Sequence, residues 1–417
     1  MSGSRETIKE YTVLSVPILV GGYLFLNPFP HVTALQEICF YLSIALTLVL
    51  AGTRSLRFSF ESPLTATLVL YVLWSFASVF WARDRMNAFH DFYTHLITYI
   101  ILYYLLVNVF TGRRRAAILV SVIAVSTATF SLGAIVYFYQ VMGNPLQARL
   151  YPDPQVQPNM IGILVTFGAI LSLLASFTAK RVPARVICII CFLANLSATA
   201  LTYSRGALAA LSLSLLLFFS TSVRRLLLVL LAGALILVLM VTVSPGFKHR
   251  LSPESISRDG RVTIILTAWE IIKEHPLRGI GFDMEAFKEQ WREYNTRLPK
   301  KFQIRPYSHT HNFILDITVR TGLIGLALFL ALLIICVARL WRLARSGTDL
   351  FVRRTALGTL SALAGLLVAG MTGNIMNNHK SAILLYVVFA LMTILWKLNE
   401  SLTAGGEGTE GPSQAGE

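Results

Sequence analysis

The chain has 417 residues, of which 55% are hydrophobic and 14% are charged, and its net charge at pH 7 is +15. A soluble domain averages about 25% charged residues, so this composition excludes an ordinary soluble protein and indicates a membrane protein. The positive charge does not indicate nucleic-acid binding, because half of the basic residues lie at the ends of apolar segments, where they orient a membrane protein.

Apolar segments of about 20 residues follow one another along the chain, and each predicts a transmembrane helix. The expected fold is an all-α polytopic membrane protein with twelve such helices, in which residues 1–398 form one domain. The first segment is too long for a cleaved signal peptide. In chain order the segments lie at about residues 11–29, 33–52, 63–82, 92–110, 116–139, 158–178, 183–202, 206–221, 224–243, 313–337, 354–372 and 380–397.

The Lys and Arg residues between these segments predict the orientation, because cytoplasmic loops carry an excess of them. With a cytoplasmic N-terminus, the inner segments carry 18 basic residues and the short outer loops carry five. Both termini are therefore expected in the cytoplasm, and residues 399–417, rich in Gly, Glu and Ser, are expected to be a disordered cytoplasmic tail. The five outer residues are Arg83, Arg85, Arg149, Arg205 and Lys380.

The polar segment at residues 244–312 is then expected outside the membrane, folded as two helices along its surface. The first is predicted to begin at Gly260 after a cap at Asp259, and the second spans 283–294 after a cap at Asp283. The first helix is predicted to have an apolar face, and the second an aromatic stripe that serves packing. The apolar face consists of Val262, Ile265, Trp269 and Ile272. The aromatic stripe consists of Phe287, Trp291 and Tyr294.

Three arginines are candidates for binding an anion. Arg205 stands between two apolar segments without an acidic neighbour in sequence, where a charge is costly unless it has a partner or reaches the interface. Arg258 and Arg261 stand at the start of the first loop helix, whose free N–H groups already favour anions. The planar guanidinium matches phosphate oxygens, so these residues predict a diphosphate site, with Arg258 alternatively pairing with a neighbouring carboxylate.

His309 and His311 lie immediately before a transmembrane segment, in an outward-facing polar setting. Histidine accepts a proton near neutral pH, whereas a spacing of two residues suits a shared metal poorly. The pattern therefore favours a general base, and it does not choose between the two histidines. In the next helix, Asp316 and Arg320 stand at i and i+4 and are expected to neutralise each other, although Arg320 is also a candidate supporting residue.

The chain lacks the patterns of several other enzyme classes. It has no P-loop, no dinucleotide-binding glycine motif and no Ser/His/Asp arrangement. Metal-dependent transferases of lipid-linked sugars need carboxylate pairs in outer loops, and here Asp84 and Asp91 alone approach that pattern. The sequence therefore predicts neither a metal nor a cofactor.

Several short motifs together resemble the O-antigen ligase and polymerase superfamily over roughly residues 150–390. One departure from the family is Val319-Arg-Thr321, where an acidic residue is common, so a role for a carboxylate there is not expected. The motifs are Ser204-Arg-Gly-Ala207 at a helix start, Arg261 with Trp269 followed by Pro276-Leu-Arg-Gly-Ile-Gly281, and His311-Asn312 followed by Thr321-Gly-Leu-Ile-Gly325.

This resemblance implies a metal-independent, inverting C-type glycosyltransferase that acts on the periplasmic face of the bacterial inner membrane. The arginines that are conserved in the family map to Arg205 and Arg261. The essential histidine maps to His311, with Asn312 beside it, and His309 becomes a possible supporting residue.

The expected function is that of an O-antigen ligase in lipopolysaccharide biosynthesis, which transfers a glycan from undecaprenyl diphosphate to a sugar of lipid A–core. Lys300, Lys301 and Arg305 are candidates for holding phosphates of the acceptor. The first alternative is a polymerase that joins repeat units on the lipid carrier. The second is a non-enzymatic flippase, which would place charges through the midplane rather than at one face. The partners are both lipid-linked substrates and membrane lipids.

Overall fold

The computed structural model describes residues 15–243, 260–373 and 375–407, and the regular structure in these ranges is helical. Two of the helices contain a π-helical turn, Phe92–Ile97 in α4 and Val136–Val141 in α5. In chain order the helices are α1 (Ser15–Leu26), α2 (Thr33–Gly52), α3 (Thr65–Val79), α4 (Arg85–Val109), α5 (Gly112–Val141), α6 (Pro158–Thr178), α7 (Val182–Leu201), α8 (Arg205–Phe218), α9 (Val223–Val243), α10 (Arg261–Glu274), α11 (Ala286–Asn295), α12 (Phe313–Ser346), α13 (Leu350–Gly370) and α14 (His379–Glu407).

Each predicted transmembrane segment overlaps one of these helices. Eight of them, α2, α4 to α7 and α12 to α14, are long and apolar enough to cross a membrane. Three more, α1, α3 and α8, are apolar helices of 10–17 residues, and α9 occupies the remaining segment. These helices indicate a polytopic membrane protein, while the count of twelve crossings stays a prediction.

Two helix ends differ from the prediction. Helix α4 begins well before residue 92, because Asp84 Oδ1 accepts a hydrogen bond from the backbone N–H of Asn87 at 2.9 Å and caps it. Helix α14 continues to Glu407, so residues 399–407 are helical rather than disordered. Asn399 Oδ1 accepts hydrogen bonds from the N–H and the hydroxyl of Thr348 at 3.0 and 3.2 Å, which ties this extension to the loop between α12 and α13. The rest of the tail lies outside the described residues.

The loops form two groups at opposite ends of the helical bundle. At one end, Lys380 Nζ donates to the carbonyl oxygen of Asn27 at 2.8 Å, which joins the start of α14 to the end of α1. At the other end, Arg113 pairs with Asp349 at 2.9 Å, which joins the starts of α5 and α13. The segment at residues 260–312 lies at the first end, which we call the site end.

Both expected loop helices are present, and each buries one of its sides. Helix α10 buries Ile264, Ala268 and Ile271 together with Ile272, whereas three residues of the predicted face, Val262, Ile265 and Trp269, are exposed. Both sides of this helix are apolar, so the periodicity could not select the buried one. In α11, Phe287, Trp291 and Tyr294 are buried, as the stripe predicts. Asp283 does not begin this helix: its Oδ1 accepts from the Glu285 N–H and from the Asn87 amide, both at 2.8 Å.

Helix α12 is broken at Gly322, where φ is +69° and ψ is −173°. The glycine-containing turn at residues 276–281 fills the break, because its backbone pairs with that of α12: the N–H groups of Ile280 and Gly281 donate to the carbonyls of Val319 and Arg320 at 2.8 and 2.9 Å. These bonds satisfy backbone groups that a broken helix would otherwise leave unpaired. Two of the motifs that carry the family resemblance thus meet at one contact.

Gly322→Ala is expected to lower the yield and the melting temperature of the folded protein. A Cβ at this position would lie 2.1 Å from the carbonyl oxygen of Leu277, and the positive φ strains any side chain. The control is Gly133→Ala in α5, where nothing lies within 4 Å of the added Cβ and Ala is the better helix former by about 1 kcal/mol. Equal melting temperatures for the two variants would contradict a stabilising role for the contact between Gly322 and the turn at residues 276–281.

Candidate active site

A cavity of about 390 Å³ opens at the site end, a volume in the range of small-ligand pockets. Three segments line it: residues 154–163 before and within the start of α6, residues 306–311 before α12, and residues 373–378 before α14. Several of their side chains are polar or titratable. They include Gln157, Asn159, Tyr307, His309, His311 and Asn377.

Both predicted histidines line this cavity. His311 has a φ of +50°, and its ring meets the ring of Tyr307 edge-on, with centroids 6.0 Å apart. The next residue, Asn312, caps α12, since its Oδ1 accepts from the N–H groups of Ile314 and Leu315 at 2.9 and 3.2 Å. His311 therefore lines the cavity, and the next residue, Asn312, caps the N-terminus of α12.

His309 is half-buried, and its Nδ1 lies 3.1 Å from the amide nitrogen Nδ2 of Asn377. Burial lowers the pKa of His309 below its usual value; Asp316 and Glu285 act against this shift, and Arg320 and Lys288 add to it. This shift favours the neutral form of the ring. The bond links the segment before α12 to the loop before α14.

Arg261 and the start of α8, which carries Arg205, meet at Thr372 in the turn that ends α13. Arg261 Nη2 donates to the Thr372 carbonyl oxygen at 3.3 Å. Arg205 is the first residue of α8, and its neighbour Gly206 packs so closely on Thr372 that an added Cβ would lie 2.1 Å from the threonine hydroxyl. The next residue, Gly373, lines the cavity, so the Arg261 guanidinium and the start of α8 lie close to it. Arg205 and Arg261 are each the first residue of a helix, where the dipole favours anions.

Arg149 is a candidate that the sequence pattern did not single out. Its Nε donates to the carbonyl oxygen of Thr202 at 2.9 Å, and its Nη2 donates to Asn159 Oδ1 at 3.1 Å. It thereby joins a cavity-lining residue at the start of α6 to the turn that precedes Arg205. The available sequence signal was that Arg149 lies in a predicted outer loop between two apolar segments.

The remaining predicted residues lie in three different settings. Arg320 is buried and pairs with Asp316, and its guanidinium also stacks on Phe282 at 5.0 Å. This pairing confirms that the two charges neutralise each other. Lys300, Lys301 and Arg305 are exposed, in the stretch that precedes the cavity-lining Pro306. Arg258 lies outside the described residues.

The loop between α13 and α14 contributes two polar side chains to the cavity. Asn377 and Asn378 line the cavity, whereas His379 bonds to the hydroxyls of Tyr23 and Tyr99 at 3.2 and 3.1 Å. Asn374 lies outside the described residues. Within residues 15–243, 260–373 and 375–407, no group of three or more His, Cys, Asp or Glu side chains is placed to hold a metal ion.

Comparison with known families agrees with the motifs. Residues 190–330 match the sequence model of the family described as O-antigen ligase. The matched range extends from within α7 to within α12, and it contains Arg205, Arg261 and His311. Comparison with curated proteins gives no match. Residues 190–330 of this chain are therefore similar to the O-antigen ligase and polymerase superfamily.

Proposed function

We propose that this protein is an O-antigen ligase, which transfers a glycan from undecaprenyl diphosphate to a sugar of lipid A–core. One observation carries the proposal: Arg261 and Gly206, the neighbour of Arg205, both contact Thr372, beside a cavity that His309 and His311 line. The site thus combines paired cations for a diphosphate with an imidazole for a hydroxyl proton, in a family of ligases and polymerases that act on lipid-linked glycans.

The arginines would bind the diphosphate of the donor. Their planar guanidinium groups match phosphate oxygens, and the N-termini of α8 and α10 add partial positive charge. As the bond between the anomeric carbon and the phosphate oxygen breaks, negative charge grows on the leaving diphosphate. Arg205 and Arg261 stabilise that charge, so undecaprenyl diphosphate departs without a metal ion.

His311 would act as the general base. It accepts the proton of the acceptor hydroxyl while the hydroxyl oxygen attacks the anomeric carbon. The attack comes from the face opposite to the diphosphate, so the new glycosidic bond has the inverted configuration. The exposed cations Lys300, Lys301 and Arg305 would hold acceptor phosphates at the edge of the cavity.

The proposed location is the bacterial inner membrane, with the site end at the periplasm and both termini in the cytoplasm. The distribution of Lys and Arg supports this orientation. The periplasm supplies no nucleotide, which agrees with a donor that arrives activated on a lipid carrier.

Product analysis tests the proposal. Purified protein is incubated with undecaprenyl-diphosphate glycan and lipid A–core, in EDTA and without nucleotide. Glycan on lipid A–core is the expected product. Longer glycans on the carrier, without modified lipid A–core, would establish the polymerase instead, and neither product from folded protein would favour the flippase.

Arg149→Ala is expected to lower the transfer rate by about tenfold, because it removes two hydrogen bonds that place the turn before Arg205. Arg149→Lys retains the charge but not both bonds, so it should lie between the wild type and Arg149→Ala. Arg185→Ala, at the opposite end of the bundle, is the control. Unchanged initial rates in Arg149→Ala would contradict this positioning role.

A further inference from the structure

The two histidines of the cavity differ in their surroundings. His309 is held by Asn377, whose Nδ2 donates to the imidazole Nδ1 at 3.1 Å. A neutral imidazole carries one proton, and a ring whose Nδ1 accepts a hydrogen bond carries that proton on Nε2. His309 therefore presents an N–H donor at Nε2.

We propose that His309 is a hydrogen-bond donor to an oxygen of the acceptor sugar, and that Asn377 is the positioning residue that fixes this tautomer. The inference rests on the proposed function and gives the two histidines different roles. With Nδ1 engaged and Nε2 protonated, His309 does not take up the hydroxyl proton, so that step falls to His311. The sugar ring is held between the two.

The burial of His309 favours the neutral ring that this role requires. Burial is the largest influence and disfavours the imidazolium form. Arg320 and Lys288 act in the same direction, whereas Asp316 and Glu285 oppose it. Arg320 and Asp316 pair with each other, which limits their separate effects on the ring. A neutral N–H donor suits the uncharged hydroxyl or ring oxygen of a sugar.

Paired substitutions of His309 separate a donor from a base. The amide of His309→Gln keeps an N–H near the position of Nε2, so its kcat/KM for the acceptor should stay within about threefold of the wild type. His309→Leu removes the donor and should lower kcat/KM about tenfold, mainly through the acceptor KM. If His309 were the base, both variants would lose kcat by about 100-fold or more, which would overturn the proposal.

Asn377→Asp tests the tautomer. A carboxylate accepts from Nδ1–H, so it moves the ring proton from Nε2 to Nδ1 and stabilises the imidazolium form. Its kcat/KM for the acceptor should fall to the level of His309→Leu and become strongly pH-dependent. Wild-type kcat/KM and pH profile in this variant would contradict the positioning role. His275→Gln and His275→Leu are matched controls on the same segment, because His275 bonds to Tyr294 and does not line the cavity.

A direct readout separates this inference from the proposed function. NMR of protein labelled with ¹⁵N-histidine distinguishes the two neutral tautomers, and His309→Gln identifies the signal of His309. The expected signal has the proton on Nε2, and Asn377→Ala should change it. Transfer activity together with an Nδ1–H signal would overturn the inference alone, whereas the expected signal without any transfer would overturn the proposed function.

Discussion

His311→Ala is expected to lower the transfer rate by at least about 100-fold, with little change in the KM of the donor. General-base catalysis typically contributes a factor of about 10²–10⁴, and the arginines that bind the diphosphate remain in place. The initial rate of glycan transfer by purified protein, measured at saturating donor and acceptor, checks the result.

A second substitution separates catalysis from backbone strain. His311 has a φ of +50°, which Ala tolerates poorly and Asn tolerates well. His311→Asn should therefore fold normally and lose activity to the same degree. His90→Ala, an exposed histidine on α4, is the control and should retain full activity. Substantial turnover in His311→Asn would remove this residue as the base.

Arg205→Ala and Arg261→Ala are each expected to lower kcat/KM for the donor by about 10- to 100-fold. Each substitution removes a charge-assisted contact worth about 1.5–3 kcal/mol. The lysine variants retain the charge but cannot bind phosphate in a bidentate manner. Their kcat/KM should therefore lie between the values of the alanine variants and the wild type. The double alanine variant should lose less than the product of the single effects, because both residues act on one diphosphate.

Arg292→Ala on α11 is the matched control for these arginines, since its side chain is exposed. Its kcat/KM should equal that of the wild type. Wild-type kcat/KM in both Arg205→Ala and Arg261→Ala would exclude the diphosphate clamp. A loss confined to the acceptor KM would assign these arginines to the other substrate.

Patterns among residues that are close in sequence predicted the helices, one buried helix face and one ion pair. The apolar segments located the helices, and the aromatic stripe of α11 predicted its buried face. The i, i+4 spacing predicted the pair of Asp316 and Arg320. In α10 apolar residues occur on both sides, so the pattern does not show which side packs on α11 and α12.

The long-range contacts of the site could not be derived in this way. Asn377 is 68 positions from His309, and Thr372 is 111 positions from Arg261. Arg149 reaches both Thr202 and Asn159 from a loop without regular structure. Such contacts depend on how the helices pack, whereas hydrophobic periodicity reports only which residues are apolar.

The most direct test of the central claim is a single-turnover reaction of the purified protein with undecaprenyl-diphosphate glycan and lipid A–core. The account predicts that one undecaprenyl diphosphate is released per glycan transferred, and that the new bond has the opposite anomeric configuration to the donor. His311→Asn should release none on the same time scale. Retention of configuration, or release of the carrier without transfer to lipid A–core, would contradict the account.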